Sequence, residues 1–223
     1  VLGTETMGYP AAPAASPCWR GSLLYHLPFG LRELQHSLAS VTGSVFGVAI
    51  GAGVSSGGFQ LHRETSATVS VATVVGPLGL GVSAGHLVLL QRGGIQRRFQ
   101  RWRAGLRIRL PARRAIRFSW KAALDGFSSA RWLLGLEQEF GGGDQLLAHA
   151  QRRAKDPPVL DLGLVHYPHR RLGLLLGTRS SPQRFAIGLS WHWRNLYLEQ
   201  VIRTHSQLGP SQTTRIGTTC SGR

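Results

Sequence analysis

The sequence predicts an all-β protein, a closed antiparallel transmembrane barrel of about fourteen strands, and three observations carry that prediction. Apolar residues alternate with small or polar residues in one segment after another. The connections between these segments alternate between short and long. No apolar run approaches the roughly eighteen residues of a transmembrane helix. This leaves a soluble protein or a barrel, which is the other structure that satisfies its backbone in lipid.

The alternation is clearest in residues 185–194. A period of two places alternate side chains on opposite sides of a strand. A soluble sandwich would bury the bulky side, whereas a transmembrane barrel would turn it to the lipid, with aromatic residues near the headgroups. This segment alone leaves both architectures open. The bulky set is Phe185, Ile187, Leu189, Trp191 and Trp193, and the small or charged set is Ala186, Gly188, Ser190, His192 and Arg194.

Strand-like segments follow one another along most of the chain. Residues 1–17, rich in Ala, Pro and Gly, are predicted as an irregular leader, and residues 18–223 as the barrel domain. The triple glycine at 141–143 disfavours a helix across residues 134–152, although Gln145–Arg152 alone is compatible with a short helix. The predicted strands are Ser22–Pro28, Leu34–Val41, Val45–Val54, Glu64–Val75, Leu78–Leu90, Phe99–Leu110, Ala115–Leu124, Arg131–Phe140, Gln145–Arg152, Val159–Tyr167, Leu172–Thr178, Arg184–Trp193, Leu196–His205 and Thr213–Cys220.

The lengths of the connections distinguish a barrel from a sandwich. Short turns at one rim and longer loops at the other are typical of outer-membrane barrels, and a sandwich has no reason to show this parity. An even strand number also places both termini at the short-turn, periplasmic rim. The predicted short turns are Thr42–Ser44, Gly76–Pro77, Pro111–Arg114, Gly141–Asp144, Pro168–Arg171 and Arg194–Asn195. The predicted longer loops are Ser55–Arg63, Gln91–Arg98, Asp125–Ala130, Arg153–Pro158, Arg179–Gln183 and Ser206–Gln212.

Assigning the bulkier apolar face of each strand to lipid puts nearly all charges on the other face. Because an Arg or Lys facing lipid at mid-depth costs about 2–4 kcal/mol, the lumen is predicted to be cationic. Its charges either pair across the lumen and hold the barrel's shape, or attract an anionic solute such as a carboxylate. The candidate lumen residues are Arg101, Arg103, Arg107, Arg109, Arg117, Lys121, Arg131, Glu137, Glu139, Asp161 and Glu199, and the candidate interfacial anchors are Trp102, Trp120, Trp132, Trp191 and Trp193.

The net charge of +16 on 223 residues raises a second hypothesis. A soluble basic β-protein would bind nucleic acid through Arg97–Arg117, where arginines are densest. Arginine alternates with apolar residues there, which fits a barrel strand equally well, and the remaining basic residues are scattered. Nucleic acid is therefore the disfavoured partner.

The sequence offers no catalytic, metal or cofactor site. Residues 81–85 match the nucleophile-elbow pattern around Ser83, but that motif needs a strand-to-helix turn, and no helix is predicted after it. His166 and His169 flank a predicted turn without a third ligand at a suitable spacing. We therefore expect a protein that is not an enzyme and that uses no cofactor.

The two cysteines, Cys18 and Cys220, lie near opposite ends of the chain. They are either unrelated thiols or, in a closed barrel, neighbours at the seam between the first and last strands. A seam disulfide is predicted if the compartment is oxidising.

Several stretches resemble the FadL superfamily of outer-membrane barrels, in particular its PorV/PorQ-like branch. Residues 9–12 look like a degraded Asn-Pro-Ala segment, with Tyr9 in place of the Asn, so that residues 1–17 are expected to be the remnant of an N-terminal hatch. The other matching stretches are Leu160–Tyr167, Leu172–Thr178, Arg184–Trp193 and the closing hairpin Val201–Gly217.

The resemblance implies a fourteen-stranded barrel in a Gram-negative outer membrane, in contact with membrane lipid and lipopolysaccharide. It implies passive uptake of hydrophobic compounds or an accessory role in type IX secretion. Together with the cationic lumen, it predicts as partners a hydrophobic or carboxylate solute, or components of a secretion system.

Overall fold

The computed structural model describes residues 18–59, 62–91, 95–123, 131–153, 156–205 and 208–218. Fourteen antiparallel strands form a closed barrel in which each strand pairs with its neighbours in sequence and β1 pairs with β14. The predicted fold class is therefore confirmed. The strands are β1 Arg20–Leu27, β2 His36–Val45, β3 Val48–Phe59, β4 His62–Val75, β5 Leu78–Gln91, β6 Ile95–Leu110, β7 Arg114–Ala123, β8 Arg131–Glu139, β9 Gln145–Arg153, β10 Val159–His169, β11 Leu172–Arg179, β12 Arg184–Trp193, β13 Leu196–Arg203 and β14 Ser211–Thr218.

The segment after the triple glycine is a strand, so the short-helix alternative was wrong. Gly141–Gly143 form a 3₁₀ turn, and β9 then pairs with β8 and β10 along its length. The pairing supplies partners for the backbone N–H and C=O groups of β9, many of which a short helix in the barrel wall would leave unsatisfied.

The first short turn was predicted too early. It lies at Phe46 and Gly47, which have φ angles of 50° and 78°, and Val45 pairs with Val48 across it. Two consecutive left-handed residues make the tight hairpin whose twist matches that of the flanking strands. Gly43, which suggested the turn at residues 42–44, instead lies within the ladder opposite Ile50.

Two of the predicted long loops were also wrong. β3 and β4 pair as far as Phe59 and His62, and β5 and β6 pair as far as Gln91 and Ile95. Clusters of serine and glycine usually signal a loop in a soluble protein. In the barrel wall the same residue types lie within paired strands, which explains the misplaced ends.

The two faces of the barrel differ in chemistry. Large apolar side chains stand exposed on the outside of nearly every strand, as Ile187 does with 61% of its surface exposed. Inside, β2 to β5 present mainly serine, threonine and glycine, whereas a small buried cluster of Val165, Leu175 and Val201 lies inside β10, β11 and β13. Among the described residues, no helix is long and apolar enough to cross a membrane.

Candidate functional site

Arginines line the inside of β6. Register places Arg101 opposite Gly85 and Arg103 opposite Ser83, which is only 3% exposed and lies on the inner face. The period of two then puts Arg107 and Arg109 on the same face, with Arg109 at the mouth. Arg131 of β8 lies opposite Lys121 of β7 in the strand register, but the side chain of Lys121 is outside the described part of the chain.

A glutamate bridges two of these arginines. Arg107 and Arg117 are direct cross-strand partners, an arrangement that is destabilising for like charges unless a counter-charge intervenes. Oε2 of Glu137 lies 3.1 Å from Nη2 of Arg107, and Oε1 of Glu137 pairs with Arg117. The Glu137 side chain is 14% exposed. In this part of the lumen, the charges of neighbouring strands are therefore paired with one another.

The remaining acidic candidates have different surroundings. Glu139 is at the mouth, where Arg113 lies 3.5 Å away and both side chains are exposed. Asp161 is buried, 2.9 Å from Nε of Arg179, and it accepts a hydrogen bond of 3.1 Å from Gln151. Glu199, buried in β13, is the cross-strand partner of Arg215 and Ser190. The role of these residues in solute passage stays a prediction.

A second basic region lies near the long-loop rim, and sequence reasoning missed it. A cavity of about 240 Å³ is lined by Arg179, Arg184 and Arg203, and also by Asp161. Its other walls include three histidines and several apolar side chains, namely His26, His149, His205, Phe29, Leu147 and Val201. Arg179 was assigned to a loop and Arg184 to the first position of a strand. The register of β10, β11 and β12, if known, would have aligned both with Asp161.

Aromatic residues fill the lumen at the opposite end of the same strands. The ring of His192 lies between Tyr167 and Tyr197, with centroid distances of 6.0 Å and 6.1 Å. The guanidinium of Arg215 lies 5.1 Å from the centroid of the Tyr197 ring. A Cβ on Gly217 would come within 2.6 Å of that ring, so a larger residue there would have to displace the ring.

The turn after β8 is held by a carboxylate. Oδ1 of Asp144 accepts a 2.8 Å hydrogen bond from the backbone N–H of Tyr167, and Oδ2 lies 2.8 Å from Nδ1 of His166. The bond from the Tyr167 N–H, followed by the contact with His166, lowers the pKa of Asp144. His166 therefore has a structural partner in this turn. No group of three or more potential metal ligands is found in the described part of the chain.

All of the predicted tryptophan anchors lie on the outer face. Trp191 and Trp193 stack at 6.2 Å beside the turn between β12 and β13, at the short-turn rim. Trp120 and Trp132 are cross-strand partners near the other rim, and Trp102 points outward two strands away from Trp132. Trp19, before β1, is also exposed and was not predicted as an anchor. Their contact with a membrane interface stays a prediction.

Ser83 lies in the middle of β5, which continues as a strand to Gln91, so it is not at the strand-to-helix turn that a nucleophile elbow needs.

Cys18 lies two residues before β1, whose partner β14 ends at Thr218. Cys220 is outside the described residues, as is the predicted leader at 1–17, and the seam disulfide stays a prediction.

The barrel is similar to several solved structures. For the toluene transporter TodX of Pseudomonas putida the TM-score is 0.73 at 11% identity, over 97% of this chain and 92% of that chain. For CymD, a monoaromatic hydrocarbon channel, it is 0.66 at 11% identity, over 97% and 91%. For the outer membrane protein Omp33 of Acinetobacter baumannii it is 0.64 at 7% identity, over 92% and 98%.

These likenesses, at such low identity, concern the fold alone. TodX and CymD belong to the FadL family, so the fold fits the FadL-like part of the resemblance, and the PorV/PorQ-like branch stays a prediction. No family model and no curated protein matches the sequence.

Proposed function

We propose that the protein is a passive outer-membrane channel for small hydrophobic or anionic molecules. The observation that carries the proposal is the inversion of the usual globular pattern, with apolar side chains outside a closed barrel and arginines inside it. The outer surface suits lipid and the inner surface suits water and anions. The solved barrels with similar folds include channels for hydrocarbons, which supports passive transport.

The distance from Trp102 to the short-turn end of its strand supports a membrane setting. Trp102 is eight residues from the end of β6 at Leu110, which is about 26 Å along a strand. At a tilt of about 40° this corresponds to about 20 Å along the membrane normal, close to the apolar band of about 25 Å in known barrels. Trp191 and Trp193 would then mark one interface, and Trp102 would mark the other.

The cationic lumen favours anions over cations. Arg103 lies inside the barrel, in the ladder position opposite buried Ser83. Fixed positive charge in a narrow pore attracts anions and repels cations. Because all the arginines of β6 except Arg98 lie on the inner face of a closed barrel, they do not form an exposed basic surface, which counts against the nucleic-acid hypothesis. The secretion-accessory role and the PorV/PorQ-like branch remain predictions from the resemblance.

The test is conductance in planar lipid bilayers under a gradient of potassium chloride. The proposal predicts channels whose reversal potential indicates a preference for chloride, and Arg103→Gln should reduce that preference. Arg98→Gln is the matched control, because Arg98 is an exposed arginine on the outer face of the same strand. Purified, folded protein that gives no conductance and no solute flux into liposomes would contradict the proposal, as would binding of nucleic acid without detergent.

A further inference from the structure

The cavity near the long-loop rim gathers three arginines from three adjacent strands. Arg179 of β11 is the direct cross-strand partner of Arg184 of β12, and Arg203 of β13 pairs with Ala186, two residues further along β12. All three line one cavity. Like charges placed directly opposite each other destabilise a sheet, so this cluster needs a compensating negative charge or strong hydration.

The protein supplies part of that compensation. Among the described residues that line the cavity, the one carboxylate is Asp161, which leaves an excess of two positive charges before any histidine is counted. Nε of Arg179 is 2.9 Å from Oδ1 of Asp161, and Nη2 of Arg179 donates a 3.3 Å hydrogen bond to Oδ2 of Asp161. Nε of Arg184 is buried and has no hydrogen-bond partner among the described residues. The excess positive charge and the unpartnered Nε of Arg184 favour an added anion at this cavity.

Apolar side chains also line the cavity, beside the charged and polar ones. They include Leu147, Val201 and Phe29. The backbone N–H of Phe29 donates a 3.1 Å hydrogen bond to Oγ of Ser211, and its ring packs edge-on against His205 with centroids 5.4 Å apart. The volume of about 240 Å³ is below the roughly 300 Å³ at which pockets for drug-sized ligands begin. The cavity therefore suits a ligand of about one ring.

We propose that this cavity is a binding site for a compact organic dianion, such as an aromatic dicarboxylate or an aryl phosphate. Two negative charges would neutralise the excess on the arginine cluster. The planar fork of a guanidinium matches both carboxylate and phosphate groups. The apolar wall would contact the ring. This inference rests on the proposed channel function only in naming the solute class, since the site itself is defined by the residues of the cavity.

The charge count makes a selective prediction. A singly charged ligand of the same size leaves one excess positive charge, and a neutral one leaves both. Each lost hydrogen bond to a charged group lowers affinity by about tenfold or more. We therefore expect phthalate and phenyl phosphate to bind at least about tenfold more tightly than benzoate. Benzyl alcohol should bind more weakly still.

The experiment is isothermal titration calorimetry of these four compounds and of inorganic phosphate against the purified barrel in uncharged detergent at low salt. Arg184→Gln should weaken phthalate binding about tenfold, and Arg184→Lys, which keeps the charge without the fork, should weaken it less. Arg98→Gln is the control, because it removes an arginine charge from the outer face. Folding of each variant is checked by circular dichroism and by the change in gel migration on heating.

Three results would overturn the site. These are equal affinity for benzoate and phthalate, inorganic phosphate binding as tightly as phenyl phosphate, and Arg184→Gln binding like Arg98→Gln. If Arg184→Gln does not fold, the ligand comparison on the unmodified protein decides alone. Selective binding without flux into liposomes would support the site and count against the channel. Flux of neutral solutes without selective binding would do the reverse.

Discussion

Replacing Glu137 by glutamine should destabilise the barrel more than any other single loss of charge in this region. Glutamine keeps the size of the side chain and one oxygen acceptor. It removes the charge that separates Arg107 from Arg117, which are direct cross-strand partners. The substitution therefore tests how strongly the lumen depends on this bridge.

The magnitude follows from distance and burial. At 3.1 Å and an effective dielectric constant of about 20, the attraction of Glu137 to Arg107 is about 5 kcal/mol. Desolvation offsets part of this, and removing one partner of a buried ion pair costs about 3–5 kcal/mol in measured cases. Water in the lumen places the expected loss at the low end, about 3 kcal/mol. That loss changes the unfolding equilibrium by about a hundredfold.

Glu139→Gln is the matched control on the same strand. Its partner Arg113 lies 3.5 Å away, but the two side chains are 45% and 65% exposed. In water the attraction at this distance is about 1 kcal/mol, and exposed pairs contribute about 0–1 kcal/mol after side-chain entropy is counted. The control should therefore change the free energy of unfolding by less than about 1 kcal/mol.

The assay is urea unfolding of the barrel in lipid vesicles, followed by tryptophan fluorescence. We expect Glu137→Gln to lower the midpoint clearly, and Glu139→Gln to leave it nearly unchanged. Equal effects would mean that lumen water screens Arg107 and Arg117 as well as bulk water does. In that case the bridge would not hold the wall. A variant that also replaces Arg107 by glutamine should recover part of the stability, because it removes one of the two opposed charges.

Three other predictions concern packing, lipid contact and pH. Gly217→Ala should cost about 1–3 kcal/mol in the same unfolding assay, because its Cβ would lie 2.6 Å from the Tyr197 ring, whereas Gly21→Ala, with no atom within 4 Å, should cost much less. Leu189→Arg, at the exposed centre of β12, should cost about 2–4 kcal/mol in vesicles, and a smaller loss would argue against lipid contact. The pKa of Asp144 is lowered in the folded state, so its stabilisation is present above the unfolded pKa and is lost as pH falls through the folded pKa. Asp144→Asn should therefore flatten the acid side of the plot of melting temperature against pH, and an unchanged slope would contradict this.

Much of the fold could be predicted because the period of two survives in most strands. The segment 184–193 was predicted with the same ends that β12 has in the structure. The prediction failed where the inner face is small and polar, as in β3, whose Ser55 and Gly57 signal a loop in sequence but lie in the ladder opposite Leu38 and His36. Composition alone does not distinguish a polar strand face from a loop.

The candidate site was harder to predict than the wall that carries it. The dense arginines of β6 were visible as a run, but those of the rim cavity are dispersed over three strands. Arg179 and Arg203 are 24 positions apart in sequence, and only the registers of β11, β12 and β13 bring them to one cavity. The inward-facing Val201 was equally hidden, because an apolar residue carries no sign of which face it occupies.

The seam between β1 and β14 decides when the barrel is able to fold. The backbone N–H of Gly21 donates a hydrogen bond to Thr218 across a sequence separation of 197 residues. Every other pair of neighbouring strands is consecutive in the sequence. Closing a loop of that length costs about 5 kcal/mol in chain entropy, and this contact requires the last strand to be present. The ribosome therefore has to finish the last strand before the first can find its partner. Until then, the chain carries two open strand edges that need protection from aggregation.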